Sequence, residues 1–385
     1  MAKILVSSAS YILSDYLLTS EGTHCYNLFK HLSKYGYEFI ALSPYIRIQE
    51  ELDNVEFHQV GTFKLSPTSP SLYKYVFHTE FQTRGFMAAR KILRTEKIDI
   101  VHHMLPAVFN YTFSPLAIMR GYFKQPFVFG PLSSHYFERP LNEKVLVPLT
   151  SRLHKKTIQK CDRIITISNQ VKDLYSELIG QAKISVIPFG IDAEVFRPGQ
   201  QNRKQDQLSL LYAGWLYPLK GVACLVEAVA EAKKLGLKIK LKIAGEGAQK
   251  QELVSLARKL GIEKDVDFLG VVPYSDMPKQ YQNCDIFCFP TLGEPLGKGL
   301  IEAMACSKPV IASKIGGPTE IIQNGINGVL VPPGDAQALA GKILLLANDE
   351  NARRRMGERA RETILERFSS QVVAKKYHLL YSEFL

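Results

Sequence analysis

The chain has 385 residues, too many for one ordinary α/β layer and enough for two domains. With 46% apolar and 22% charged residues, each half can bury a core, which excludes a disordered or low-complexity protein. The formal net charge of +11 is uneven: 22 basic against 15 acidic residues in 1–190, and 26 against 22 in 191–385.

The opening run MAKILVSSAS is short, broken by serines and followed by Asp15, so it reads as a buried first strand and not as a signal peptide. Further strand-like runs follow at Glu38–Leu42, Ile100–His102, Phe127–Phe129, Arg163–Ile167 and Ile184–Ile187. Between the first two strands, Tyr26, Phe29 and Leu32 recur at helical spacing within Thr23–Tyr35, and Gly36 supplies the stop. Such β–α alternation predicts a parallel, doubly wound sheet. His102-His103 follows an apolar strand, which offers His103 as an acceptor-side group or as a satisfied structural histidine.

The densest basic run is Arg152–Lys160, RLHKKTIQK. It reads either as a solvated helix face or as a contact for an anionic partner such as a phospholipid surface or lipid phosphate. Nothing resembling an RNA or DNA module accompanies it, so no nucleic-acid partner is expected. No stretch approaches the roughly 18 apolar residues of a membrane span, and the six scattered cysteines form no CxxC pair. Cys284 and Cys288 read as buried reduced thiols. The expectation is a cytoplasmic protein, at most peripheral on the inner face of a membrane.

After the polar stretch Arg197–Gln207 the pattern restarts: strand Leu208–Tyr212, helix Val222–Leu235, strand Ile239–Ala244, helix Gln249–Leu260, then strands Asp267–Leu269, Ile286–Phe289 and Val310–Ile311. This predicts two Rossmann-like domains, 1–196 and 197–365, facing across a cleft, with a helix at about 366–385 packing back on the first.

The most informative segment is Gly293–Ser313, GEPLGKGLIEAMACSKPVIAS. A strand ends at Pro290, a Gly-bearing turn follows, and a helix is predicted over Lys298–Ala305. Its N-terminus suits a diphosphate, with Lys298 adding a cation. Glu294 lies in the turn and Glu302 eight residues on, about 5–8 Å along the helix. One carboxylate can accept hydrogen bonds from ribose hydroxyls while the other reaches a sugar beyond the phosphates.

This segment resembles the E-x7-E signature of family 4 glycosyltransferases, retaining enzymes of the GT-B fold. Ser20–Gly36, Cys161–Ser168, Val186–Asp192, Tyr212–Gly221, Phe268–Val272, Asp285–Pro290 and Ile315–Pro332 resemble other parts of the same family, so the likeness runs along most of the chain. The resemblance implies transfer of a sugar from a UDP- or GDP-sugar to a glycan or lipid-linked acceptor, in glycolipid, cell-envelope or exopolysaccharide synthesis. It implies Glu294 and Lys220 as catalytic groups, and a donor set of Gly22, Gly214, Lys220, Val272, Glu294, Leu296, Gly297, Lys298 and Glu302. His103, Ser133 and His135 are the acceptor-side candidates.

Four positions depart from the family pattern. Trp215 stands where an arginine is usual, and Lys298, where an apolar residue is usual, is a candidate to replace that cation. The first loop has Glu21-Gly22 in place of two glycines, and Gly130-Pro131 stands where many relatives carry a histidine. No Asp-x-Asp pair follows a strand, and Asp265 and Asp267 read as turn residues, so no metal and no cofactor are expected. Gly245-Glu246-Gly247 lacks the rest of a dinucleotide fingerprint. A nucleotide-sugar epimerase and a catalytically weak sugar-nucleotide-binding protein are the rival expectations.

Overall fold

The computed structural model describes residues 1–9, 12–14, 20–61, 71–104, 114–118, 120–133, 147–179, 183–199 and 207–385. The chain divides into two compact units, Met1–Gly190 with Ser370–Leu385, and Ile191–Ser369.

The first unit contains β1 (Ala2–Val6), β2 (Ile12–Ser14), β3 (Tyr37–Ser43), β4 (Tyr45–Arg47), β5 (Val55–Gln59), β6 (Ile100–His103), β7 (Phe127–Leu132), β8 (Arg163–Thr166) and β9 (Ile184–Val186). Seven of these form one sheet in the order β5-β3-β1-β6-β7-β8-β9, and β2 pairs with β4. Every pairing is parallel. β6 and the Ile4–Val6 part of β1 are buried on both faces because helices cover both. Helix Ser20–Leu32 crosses from β1 to β3, tightens into a 3₁₀ turn at Ser33–Tyr35, and stops at Gly36 with φ +75°. The C-terminal helix Ser370–Ser382 packs against it.

Helices Ser71–Thr95, Pro115–Ile118, Val147–Lys160 and Asn169–Ile179 cross the sheet in the opposite direction. Right-handed crossovers therefore put all four on the other face, where each packs on the next. No helix among the described residues is long and apolar enough to cross a membrane.

The second unit contains β10 (Leu208–Ala213), β11 (Ile239–Ala244), β12 (Val266–Gly270), β13 (Ile286–Phe289), β14 (Val310–Ser313) and β15 (Val329–Val331). They form one parallel sheet in the order β12-β11-β10-β13-β14-β15. Helices Val222–Lys234, Lys250–Lys259, Lys298–Ala305, Ala336–Ala347 and Glu350–Arg367 are its main crossover and covering elements. The sheet and the helices Val222–Lys234 and Ala336–Ala347 enclose one apolar core that includes Leu210, Val226, Val229, Leu241, Ile243, Leu339 and Ile343.

The unit boundary falls after Gly190, six residues before the sequence-based one. Segment 191–196 is tied to the second unit: the Phe196 ring meets Tyr274 and Tyr281 edge-on at 5.4 and 6.0 Å, and Arg361 donates to the Phe196 carbonyl at 3.1 Å. The C-terminal segment crosses back at Ser370, after Glu350–Arg367 has ended.

Candidate active site

In the second unit the strand order reverses between β10 and β13. In an open parallel sheet such a switch point leaves a crevice beyond the strand C-termini, because the following loops diverge to opposite faces. The loops here are 214–221 and 290–297, and they carry Gly214, Lys220, Glu294, Leu296 and Gly297.

The two loops are fastened together. The Leu292 N–H donates to the Leu219 carbonyl at 2.8 Å, and the Thr291 hydroxyl reaches the same carbonyl at 3.2 Å. Gly221, at φ +65°, passes so close that a Cβ there would lie 2.0 Å from the Pro290 carbonyl oxygen. Only glycine fits both the left-handed backbone and that approach.

Lys220 ends a short turn, Pro218–Lys220, and its ammonium donates to Glu294 Oε2 at 2.7 Å. Glu294 Oε1 accepts the Gly297 N–H at 3.1 Å, and the Glu294 carbonyl accepts the Gly317 N–H at 2.8 Å. Both side chains are largely buried, so the pair is shielded from bulk water and each charge depends on the other.

Gly297, at φ +97°, is the N-cap of helix Lys298–Ala305; its own N–H is taken by Glu294, but with no side chain it leaves the N–H groups that follow uncapped. Such an uncapped terminus presents N–H groups and a positive dipole end to an anion. Glu302 lies one turn in and is only 8% exposed. Tyr281 donates its phenol O–H to Glu302 Oε2 at 2.8 Å, and the Lys298 ammonium lies 3.8 Å from Oε1. Burial pushes the Glu302 carboxyl above its ordinary range, while Lys298 and the Tyr281 hydrogen bond pull it back.

Lys298 also lies over the Tyr274 ring at 5.3 Å. Its ammonium thus lies near both Glu302 and an aromatic face. Trp215 is 57% exposed and stacked on Tyr217 at 6.0 Å, while its carbonyl accepts the Tyr212 hydroxyl at 2.8 Å. Val272 is half-buried in the loop after β12. The Leu296 side chain is buried in the core, so only its backbone is placed to meet a ligand.

In the first unit Gly22 is buried in the opening turn of Ser20–Leu32. His103 is buried beneath the helical layer, its Nδ1 2.9 Å from the Ser7 hydroxyl and 3.2 Å from that of Ser114, and its ring stacks on Phe129. Burial pushes both His102 and His103 down to about 3, so each is neutral at ordinary pH. His103 is buried in this packing, and its Nε2 has no hydrogen-bond partner among the described residues. Ser133 is half-buried just after β7, whereas His135 and the Glu21 side chain lie outside the described residues. At Gly130, φ +121°, a Cβ would lie 2.3 Å from the Ile165 carbonyl, so this backbone admits no histidine there.

Asp265 pairs with Lys233, and Asp267 with Lys240 at 2.8 Å. Among the described residues no three His, Cys, Asp or Glu side chains gather into a cation site. None of the six cysteines is in a disulfide, and Cys284 and Cys288 are buried. The sequence did not single out Gly221, Thr291, Gly317 or Tyr281. The glycines sit in recognisable turns, but nothing local marks a tyrosine whose partner lies 21 residues away.

The model of the glycosyl transferases group 1 matches residues 196–363, and that of glycosyltransferase family 4 matches residues 22–195. The chain is 29% identical over 240 residues to a D-inositol 3-phosphate glycosyltransferase of Kribbella flavida, covering 58% of this chain and 54% of that protein. It is 29% identical over 235 residues to the capsular polysaccharide biosynthesis glycosyltransferase CapM of Staphylococcus aureus, covering 58% and 62%. The matches thus span little more than half the length of these relatives. The fold is similar to that of Anabaena HepE, solved in complex with UDP-glucose, at a TM-score of 0.71 and 19% identity over the whole of both chains.

Proposed function

Since the chain belongs to the family 4 glycosyltransferases, with a group 1 transferase domain as its second half, we propose that it transfers a sugar from a nucleotide-sugar donor to an acceptor hydroxyl. The observation that carries this reading is the convergence of Lys220, Glu294, the uncapped start of Lys298–Ala305 and Glu302 at one switch point. A UDP-sugar is the first donor to test, because a protein of similar fold has been solved in complex with UDP-glucose.

In this proposal the diphosphate rests against the helix N-terminus and Lys220, Glu302 accepts hydrogen bonds from the ribose, and Glu294 faces the transferred sugar. The bond from the anomeric carbon to the diphosphate oxygen breaks, and its electron pair leaves with the phosphate. The acceptor oxygen bonds to that carbon from the same side, and its proton passes to the departing phosphate oxygen, so the anomeric configuration is retained. Lys220 and the helix dipole offset the charge that develops on the leaving group, a role that fixed charges perform well where water is excluded. Lys220 must then exchange Glu294 for the diphosphate, which releases one carboxylate oxygen toward the sugar.

The test is to incubate the chain with UDP-glucose and related nucleotide sugars, with and without glycan and lipid-linked acceptors. Acceptor-dependent release of nucleoside diphosphate is expected, and rearrangement of the sugar without any acceptor would indicate an epimerase.

The partner surface follows from the helical layer of the first unit. In helix Val147–Lys160 the buried His154, Thr157 and Ile158 face inward, while Arg152, Lys155, Lys156 and Lys160 are exposed. In the same layer, beyond Pro115–Ile118, helix Ser71–Thr95 exposes Arg84, Met87, Arg90, Lys91 and Arg94, and Tyr122 is exposed beside Arg90. This combination of basic and apolar groups suits an anionic lipid surface, where a lipid-linked acceptor would lie.

A further inference from the structure

Tyr281 has no part in the proposal above, yet it makes the shortest hydrogen bond to Glu302. We propose that Tyr281 is a positioning residue for donor binding, its immobilised phenol fixing the Glu302 carboxylate so that the remaining lone pairs are presented to the donor. This rests on the reading of Glu302 as a donor-binding carboxylate.

The phenol is held from several sides. Its ring is fully buried, with Phe196 at 6.0 Å and Phe287 at 5.5 Å, both near edge-on at 62°. A Cβ at position 299 would lie 3.4 Å from the phenol oxygen and 3.2 Å from the Ala213 carbonyl, so Gly299 leaves room for the hydroxyl beside the helix. The donor distance of 2.8 Å suits an O–H to a carboxylate, and the carboxylate is too deeply buried to find a water substitute easily.

An ionised carboxylate has about four acceptor positions. Tyr281 takes one on Oε2 and Lys298 approaches Oε1, which leaves two for a vicinal diol. A long side chain that would otherwise lose rotamer freedom on binding is thus ordered before the ligand arrives. Segment 191–196 acquires a purpose in the same arrangement, because Phe196 buttresses the ring that holds the carboxylate.

The experiment is calorimetric titration of UDP, GDP and ADP into wild type, Tyr281→Phe, Glu302→Gln and the double variant, with thermal unfolding of each. Tyr281→Phe removes one oxygen and leaves the ring packed, so it should melt near wild type. Its dissociation constant for the preferred nucleotide should rise about tenfold or more, as for loss of a hydrogen bond to a charged group. In the Glu302→Gln background the same change should alter affinity less than twofold. Unchanged affinity in Tyr281→Phe beside weakened Glu302→Gln, or a loss that simply multiplies in the double variant, would each overturn the proposal. Failure of all three nucleotides to bind wild type, or full affinity in Glu302→Gln, would overturn the reading beneath it.

Discussion

Lys220 and Glu294, 74 residues apart in the chain, meet at 2.7 Å where the loops after β10 and β13 are fastened together. Each is the only ion-pair partner of the other among the described residues, and both are more than four-fifths buried. Removing one leaves a largely buried charge without its counter-ion, at a cost of about 1–3 kcal/mol or more. Lys220→Met should therefore lower the melting temperature, and Lys220→Met with Glu294→Gln should restore part of it. Chemical denaturation of the four-protein cycle measures this, and strictly additive losses would show that the pair is not coupled.

The two glutamates of the site should separate in kinetics. Glu294→Ala is expected to lower kcat about ten- to a hundredfold with little change in donor KM, whereas Glu302→Ala should chiefly raise donor KM. Steady-state rates over a range of donor concentrations distinguish the two, and equal effects on kcat would remove the distinction between their roles.

Glu302 gives a pH signature with two opposite signs. Its folded pKa is raised by burial, ahead of the opposing effects of Lys298 and Tyr281. Donor affinity, which uses the ionised form, should fall as pH drops through that raised value, earlier than for an exposed glutamate. Its contribution to stability runs the other way: it is fully present below the unfolded pKa and lost as pH rises through the folded one. Glu302→Gln should abolish both dependences, so affinity and melting temperature followed across acidic pH provide the check.

Gly221 and Gly236 make a matched pair for the close approach of the loops. Both have positive φ, +65° and +88°, but a Cβ at 236 meets nothing within 4 Å while one at 221 would meet the Pro290 carbonyl. Gly236→Ala should cost about 1–2 kcal/mol, the backbone term alone. Gly221→Ala should cost more and also weaken nucleotide binding, because it pushes the two loops apart. Equal losses at both positions would mean that the loops yield freely.

Reversing Lys155 and Lys156 to Glu should abolish co-sedimentation with vesicles containing phosphatidylglycerol, since each basic residue near such a surface contributes about 1 kcal/mol. Raised salt should weaken wild-type binding in the same way. Binding unchanged by charge reversal would leave these lysines as a solvated face.

Much of this architecture was legible from periodicity. Helix Lys298–Ala305 and strands Ile239–Ala244 and Ile286–Phe289 end where the sequence places them, because proline, glycine and a long apolar run bound them sharply. β5 escaped notice because its residues alternate weakly at a half-covered edge, and β2 and β4 are only three residues long. Glycine positions announced the loops, but not which loop each would touch. The Lys220–Glu294 and Tyr281–Glu302 contacts depend on the packing of loops and helices around β10 and β13, and no local pattern encodes them.

The central claim is that a nucleotide sugar binds at the C-terminal ends of β10 and β13. Hydrogen–deuterium exchange, measured with and without UDP and in parallel with GDP and ADP, tests it most directly. At least one nucleotide should protect amides concentrated in residues 214–221 and 291–305, and that protection should weaken in Glu302→Ala. No protection by any of the three, or protection confined to other segments, would contradict the account.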